Sequence, residues 1–221
     1  MIKNTKKSKI IKPKIKAYLE ENNSCNLFTS LYGSLFNLKV KDCTLEHFEA
    51  DNVKIDGCHF INVSFNSSIL EKTEILDCIF ENCDLSNINL NASIIHRVEF
   101  RNCKLVGSDF SATNLKDVTI TESLCKYANF SYANIKLASF NSNDMENVAF
   151  GTCTFEDIVI EDCSLKLVDF FNTKLKDIDF STDNIEGIKL VGKELSGCIV
   201  SMMQTIDLAK LLGVIIKDET D

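Results

Sequence analysis

Apolar residues recur along this chain at every fifth position. From Val40 to Val200 each position divisible by five is apolar, 33 in succession, running through Val40, Leu45, Ala50, Ile55, Phe60, Phe65, Leu70 and Ile75 to Ile185, Leu190, Leu195 and Val200. At 45% apolar content such a run has a chance probability on the order of 10^-11. Eleven of the fifteen phenylalanines lie on this register. A second register sits two residues earlier, where 24 of the 32 positions from Cys43 to Cys198 are Cys, Ser, Thr, Ala or Val. Neither an α-helix, with apolar spacings of about 3 and 4, nor a half-buried strand, with spacing 2, produces this pattern.

Between the two registers lies a mostly polar site, often Asn or Asp, as in Cys83-Asp84-Leu85, Ser108-Asp109-Phe110, Thr113-Asn114-Leu115, Ala128-Asn129-Phe130, Ala133-Asn134-Ile135 and Val168-Asp169-Phe170. This resembles the pentapeptide-repeat pattern A(D/N)LXX, over residues 34 to 200. The resemblance implies an all-β fold, a right-handed quadrilateral parallel β-helix in which five residues make one side and four sides make a turn. Side chains 20 apart then stack in columns. Such columns are visible as Phe60, Phe80, Phe100, Ile120, Phe140, Ile160 and Phe180, and as Phe110, Phe130, Phe150 and Phe170. The length predicts about 8 coils and, at about 4.8 Å per coil, a rod about 40 Å long. The phase never slips, so no projecting loop is expected. Phe48, Ile88, Asn143, Asp183 and Lys193 depart from the small-residue register; they predict local widening and, for the last two, fraying near residue 190.

Three segments are expected: a basic, flexible N-terminal segment over 1–24, the β-helix over 25–200, and a capping helix with a dimerisation strand over 201–221. The first holds seven lysines against Glu20 and Glu21, a composition that reads either as a solvated arm or as a partner-binding one. In the last, Ser201 is placed to N-cap an amphipathic helix and Gly213 to end it, with Val214-Ile215-Ile216 as a short strand. Met202, Met203, Leu211, Leu212, Val214, Ile215 and Ile216 are too apolar for a free tail. They predict a C-terminal homodimer contact or, alternatively, a segment folded back over the last coil.

Composition excludes intrinsic disorder as the main state and shows no apolar run long enough for a membrane span and no secretory leader, which predicts a cytoplasmic protein. Eight of the ten cysteines, Cys43, Cys58, Cys78, Cys83, Cys103, Cys153, Cys163 and Cys198, occupy the small register, and Cys125 the large one. That placement makes them core fillers; Cys58 and Cys78, like Cys83 and Cys103, should stack within disulfide reach but stay reduced in a cytosol. His47, His59 and His96 fall on three different sides. With no catalytic motif, no metal-ligand spacing and no cofactor fingerprint, the expectation is a protein that is not an enzyme and carries no cofactor or metal.

Charge is what remains. Residues 41–200 carry 26 acids and 14 bases, a net of −12. Asp42, Glu81, Glu99, Glu122, Glu161, Asp162 and Asp179 sort to one side of the coil, opposed by Lys39, Lys41 and Arg101. Over 40 Å a DNA duplex carries roughly 23 charges, so the rod has about half that density. Length, coil number and the ending Gly213-Val214-Ile215-Ile216 resemble the Qnr and MfpA group of pentapeptide-repeat proteins. The resemblance implies a dimeric DNA mimic that binds DNA gyrase or topoisomerase IV and protects them from fluoroquinolones or inhibits them. Glu81, Glu122, Glu161 and Asp162, with Asp42 and Glu99, are the expected partner-binding residues. The other reading is a pentapeptide-repeat scaffold with a different protein partner, since the repeat determines shape and not target.

Overall fold

A computed structural model describes residues 9–22 and 34–217. Its ten strands form one parallel sheet: β1 (Glu20–Glu21), β2 (Ser34–Phe36), β3 (Leu38–Lys41), β4 (Lys54–Asp56), β5 (His59–Ile61), β6 (Glu74–Glu81), β7 (Ile94–Arg101), β8 (Asn114–Thr121), β9 (Asn134–Asn141) and β10 (Thr154–Glu161). From β2 onward the register is 20: Phe60 pairs with Phe80, Phe80 with Phe100, Phe100 with Ile120, Ile120 with Phe140 and Phe140 with Ile160, whereas β1 meets β3 at an offset of 18, Glu20 with Leu38. The chain is therefore a right-handed β-solenoid with four sides per turn. We name the sides by their core residues: D carries Ile75 and Ile95, A carries Phe80 and Phe100, B carries Leu85 and Leu105, and C carries Leu90 and Phe110.

Strands β6 to β10 each turn the corner from side D to side A without a break. On sides B and C neighbouring coils meet by a single bridge, as in Ser64–Asp84–Lys104–Leu124 and Ile69–Asn89–Asp109–Asn129. The solenoid makes about seven turns, one fewer than the length predicts. After Glu161 the bridges continue to Asn184, Lys189 and Ile199, but strand geometry is lost. Among residues 34–200 no loop projects. The expected fraying is confined to a short 3-10 turn at Lys193–Leu195, where the buried Glu194 carboxylate turns inward and accepts from the Asn172 and Val191 N–H groups.

The scarcity of glycine is resolved at the corners. Two residues after each core position, from Asn37 to Asp177, the backbone enters the left-handed region, with φ between 49° and 65° at non-glycine residues. Asn and Asp fill about half of these sites, consistent with their low cost in that region, but Thr152, Leu137 and Leu167 occupy others. Each strain is offset by a hydrogen bond to the next coil, as from Asn62 N to Glu81 O and from Asn82 N to Arg101 O, both 3.0 Å.

The interior is a stack of rings. Phe60, Phe80 and Phe100 lie face to face at 4.9 and 5.0 Å on side A, and Phe110, Phe130, Phe150 and Phe170 at 4.9, 5.1 and 5.6 Å on side C. The two stacks meet edge-on, as at Phe130 and Phe140 with a centroid distance of 6.1 Å and planes at 87°. Of the fivefold register only Ala50, Phe155, Leu190, Leu195 and Val200 are incompletely buried. Polar departures form a ladder beneath side B. Asn143 is buried, accepts from Ser123 N at 2.9 Å and donates to Ile120 O at 2.8 Å, so its amide replaces the small residue without an unmet polar group on either atom.

Each end is closed. Helix α1 (Met202–Leu211) has Ser201 as N-cap in a full capping box with Gln204, and Gly213 follows it at φ 77°. The Gln204 amide donates to Phe180 O at 2.7 Å and Asp183 O at 2.8 Å, so the cap satisfies carbonyls of the last coil. Residues Val214 to Ile216 form no strand; Val214 N returns to Ala209 O at 3.0 Å instead. A two- or three-residue strand needs a partner edge, and the single chain offers none there. At the other end, β1 pairs with β3 and Asn22 N donates to Lys39 O, closing the first coil.

The N-terminal segment also departs from the expected free arm, in so far as it is described. Residues 9–16 run along the rod at the corner between sides D and A. Ile11 N donates to Asp117 Oδ1 at 2.9 Å and Lys14 N to Asp77 Oδ1 at 2.8 Å. The chain's one proline, Pro13, lies between these two donors and holds Lys12 in extended geometry. The expectations for residues 1–8, 23 and 24 lie outside the described residues. Among the described residues no helix is long and apolar enough to cross a membrane.

Candidate functional site

Side A and its corner toward side B carry the acidic residues singled out by charge. The structure divides them into three kinds. Glu99 is not at the surface: it is buried, and Arg101, two residues on, folds over it in an ion pair. Its assignment to the exposed face is therefore corrected, and its neighbour cancels its charge.

Glu81 is partly exposed, and its Oε2 lies 3.1 Å from His59 Nε2. Burial holds the His59 imidazole below its ordinary pKa, so at neutral pH this is a hydrogen bond from a neutral ring. Asp42 accepts from Asn62 Nδ2 at 2.8 Å, and Glu161 from Asn141 Nδ2 at 3.4 Å; neither has a cationic partner in these contacts. Glu122 and Asp162 are exposed at the same corner, two coils apart, about 10 Å at the coil spacing. The corner between Asp42 and Glu122 is filled by Asn62, Asn82 and Asn102, with Asn102 Nδ2 bonded to Asn82 Oδ1 at 2.8 Å. Acidic character thus concentrates toward the C-terminal half, around Glu122, Glu161 and Asp162. Sides B and C are more evenly paired, as by Lys126 with Asp144 and Glu146 and Lys166 with Glu186.

The second feature is the apolar end. Met202, Met203 and Ile215 are 88%, 74% and 95% exposed, and Leu211, Leu212, Val214 and Ile216 are also exposed. Leu208 and Gln204 face the rod instead. The helix therefore packs by a narrow strip and turns most of its apolar residues to solvent.

The third feature lies away from the acidic face. The corner between sides D and A carries Asp77, Arg97, Asp117, Leu137, Asp157 and Asp177 in successive coils. Arg97 holds Asp77 in a two-point pair, with both N···O distances 2.6 Å, and His96 Nε2 lies 3.3 Å from Asp117 Oδ2. The Arg97 guanidinium keeps the Asp77 carboxyl below its ordinary pKa. The available signal was an Asp recurring at intervals of 20 or 40 at a corner position. Sorting by sides alone dispersed it.

The nine described cysteines are all free thiols, eight of them buried. Burial pushes the Cys153 thiol up to about 12, and a hydrogen bond with the Cys103 thiol together with burial pushes Cys83 well up. Among the described residues no group of three or more His, Cys, Asp or Glu side chains could hold a metal ion.

Comparison with known proteins agrees with this geometry. The family model described as a pentapeptide repeat region matches residues 53–130 and 93–170. Among solved structures, a trypsin-treated variant of QnrB1, a plasmid-mediated fluoroquinolone resistance protein, superposes with a TM-score of 0.59 at 19% identity, covering 83% of this chain and 97% of that one. HetL, a pentapeptide repeat protein involved in heterocyst differentiation regulation from the cyanobacterium Nostoc sp. strain PCC 7120, covers 81% of this chain and 97% of its own at 13% identity, with a TM-score of 0.43. No curated protein sequence matches this one.

Proposed function

Because the chain belongs to the pentapeptide-repeat family, we propose that it is a cytoplasmic, non-catalytic DNA mimic. In this reading it binds DNA gyrase or topoisomerase IV through side A and modulates the response of that enzyme to fluoroquinolones. The carrying observation is the group Glu122, Glu161 and Asp162, acidic, exposed and, among the described residues, without a cationic partner, along the rod. A surface made for duplex DNA reads regularly spaced negative charge more than base identity. The likeness of the rod to QnrB1, a fluoroquinolone resistance protein, supports the fluoroquinolone side of this reading. The exposed apolar end supports a homodimer through α1 and the residues after it, which would extend the acidic rod to twice its length.

The experiment is supercoiling by purified gyrase with the protein titrated in, at two salt concentrations, with and without a fluoroquinolone. A salt-sensitive effect, either rescue or inhibition, supports the proposal. Glu122→Lys combined with Glu161→Lys reverses exposed charges and leaves the core untouched, so it should weaken the effect at least about tenfold in a folded protein. An unchanged titration by that variant would remove side A from the interface.

A further inference from the structure

The corner that holds the N-terminal segment has a repeat of its own. Asp77 and Asp117 are two coils apart, about 9.6 Å at the spacing of strands in a sheet. The two backbone donors they receive, Lys14 N and Ile11 N, are three residues apart, about 10 Å in an extended chain. One carboxylate every second coil therefore matches one N–H every third residue of a polypeptide laid along the rod. The next carboxylate in the series is Asp157, and its side chain is exposed. Beside it opens a hollow of about 400 Å³ lined by Phe155, Ile158 and Ile178 together with Lys174 and Lys176.

We infer that this corner is a binding rail for an extended, lysine-bearing polypeptide. The chain's own residues 9–16 occupy it in cis and so hold off a basic segment of a partner protein. The occupant's chemistry is read from the segment already seated there. That segment is extended around Pro13, carries Lys9, Lys12, Lys14 and Lys16, and is held by backbone donors, so the rail asks for charge and extension more than for a particular side chain. Within the corner column Asp77, Asp117, Asp157 and Asp177 stand against Arg97, an acidic excess that Lys174 and Lys176 reduce at the Asp157 station. Asp157 with its hollow gives a partner one station beyond the two that the described segment fills. This inference is independent of any topoisomerase.

The test uses the full chain. Ile11→Pro with Lys14→Pro deletes both donors while keeping the segment extended and leaving the rail unaltered. The probe is a fluorescein-labelled peptide with the sequence Lys6 to Ala17, followed by fluorescence polarisation. Binding to the double-proline variant should be at least about tenfold tighter than to the unaltered protein. Asp117→Asn added to that variant should reverse the gain, and Asp157→Asn should weaken binding by a smaller factor. Circular dichroism must show the β-solenoid retained in each. Equal binding to the unaltered and double-proline proteins, or equal binding of a peptide with its lysines replaced by glutamate, would overturn the inference.

Discussion

Asp183 should make this protein more stable as the solution is acidified, and Asp183→Asn should remove that dependence. The side chain stands in the inner polar ladder beneath side B, one coil below the C-terminal cap. Its Oδ1 accepts from Cys163 N at 2.8 Å, while the buried Oδ2 has no hydrogen-bond partner. Burial, together with the like charges of Asp162, Asp179 and Glu161, raises its pKa from 3.8 to about 6. The folded state therefore binds the proton more tightly than the unfolded state does. Stability from this group is complete below about pH 4 and is lost as pH rises through about 6. The full linkage value is about 3 kcal/mol, and screening by solvent around the last coil reduces it to about 1–2 kcal/mol. Asn143, two coils earlier in the same column, shows how an amide fits: its oxygen accepts from Ser123 N and its nitrogen donates to Ile120 O. The corresponding acceptor for an amide at 183 is the Ile160 carbonyl. Asp183→Asn should thus exceed the parent by about 2 kcal/mol at pH 8, the gap narrowing to about 1 kcal/mol near pH 4.5. Urea unfolding of both proteins across that range measures the gap. A gap that does not change with pH would refute the assigned titration, and a less stable variant would refute the ladder geometry.

Thr152 is β-branched yet sits at φ 58°. Replacing it by Asn should raise the free energy of unfolding by about 0.5–1 kcal/mol, seen as a higher Tm, with no change in the circular dichroism spectrum. Phe130 stacks on Phe110 and Phe150 at 4.9 and 5.1 Å and is fully buried; Phe130→Ala should cost about 3–5 kcal/mol in the same urea experiment. If the apolar end is a dimer contact, sedimentation equilibrium should give twice the 24.8 kDa chain mass, and Ile215→Glu should return the monomer. A parent that sediments as a monomer at micromolar concentration would sink the contact.

Much of this architecture is written in the sequence because a solenoid repeats one local decision. The fivefold register named the core, the interval of 20 named the columns of phenylalanine, and Ser201 and Gly213 marked the ends of the helix. What escaped were features with no period. Glu99 occupies an outward position by alternation, yet Arg101 folds over it, and alternation carries no information about a neighbour's rotamer. The N-terminal segment has the composition of a charged arm, and its docking is invisible in the sequence because it uses backbone donors, whose targets lie 106 and 63 residues away. Val214-Ile215-Ile216 has strand composition, but a strand is a property of two edges and only one is present. The corners were hidden for the opposite reason: Asn and Asp fill about half of them, but residues as different as Thr152, Leu137 and Arg97 fill others, so no one residue type marks the position.

The segment along the corner also alters how the rod comes apart. In a stack whose units touch only nearest neighbours, either terminus can peel away one unit at a time, and partial unfolding is graded. Here β1 closes the first coil, while the same short stretch of chain is fastened two coils apart at Asp77 and Asp117. The segment therefore links coils that are not nearest neighbours, so fraying of the N-terminal end has to break contacts that a plain stack lacks. Amide hydrogens of the coils up to Asp117 should exchange more slowly, and more nearly together, than those of the C-terminal coils beyond it.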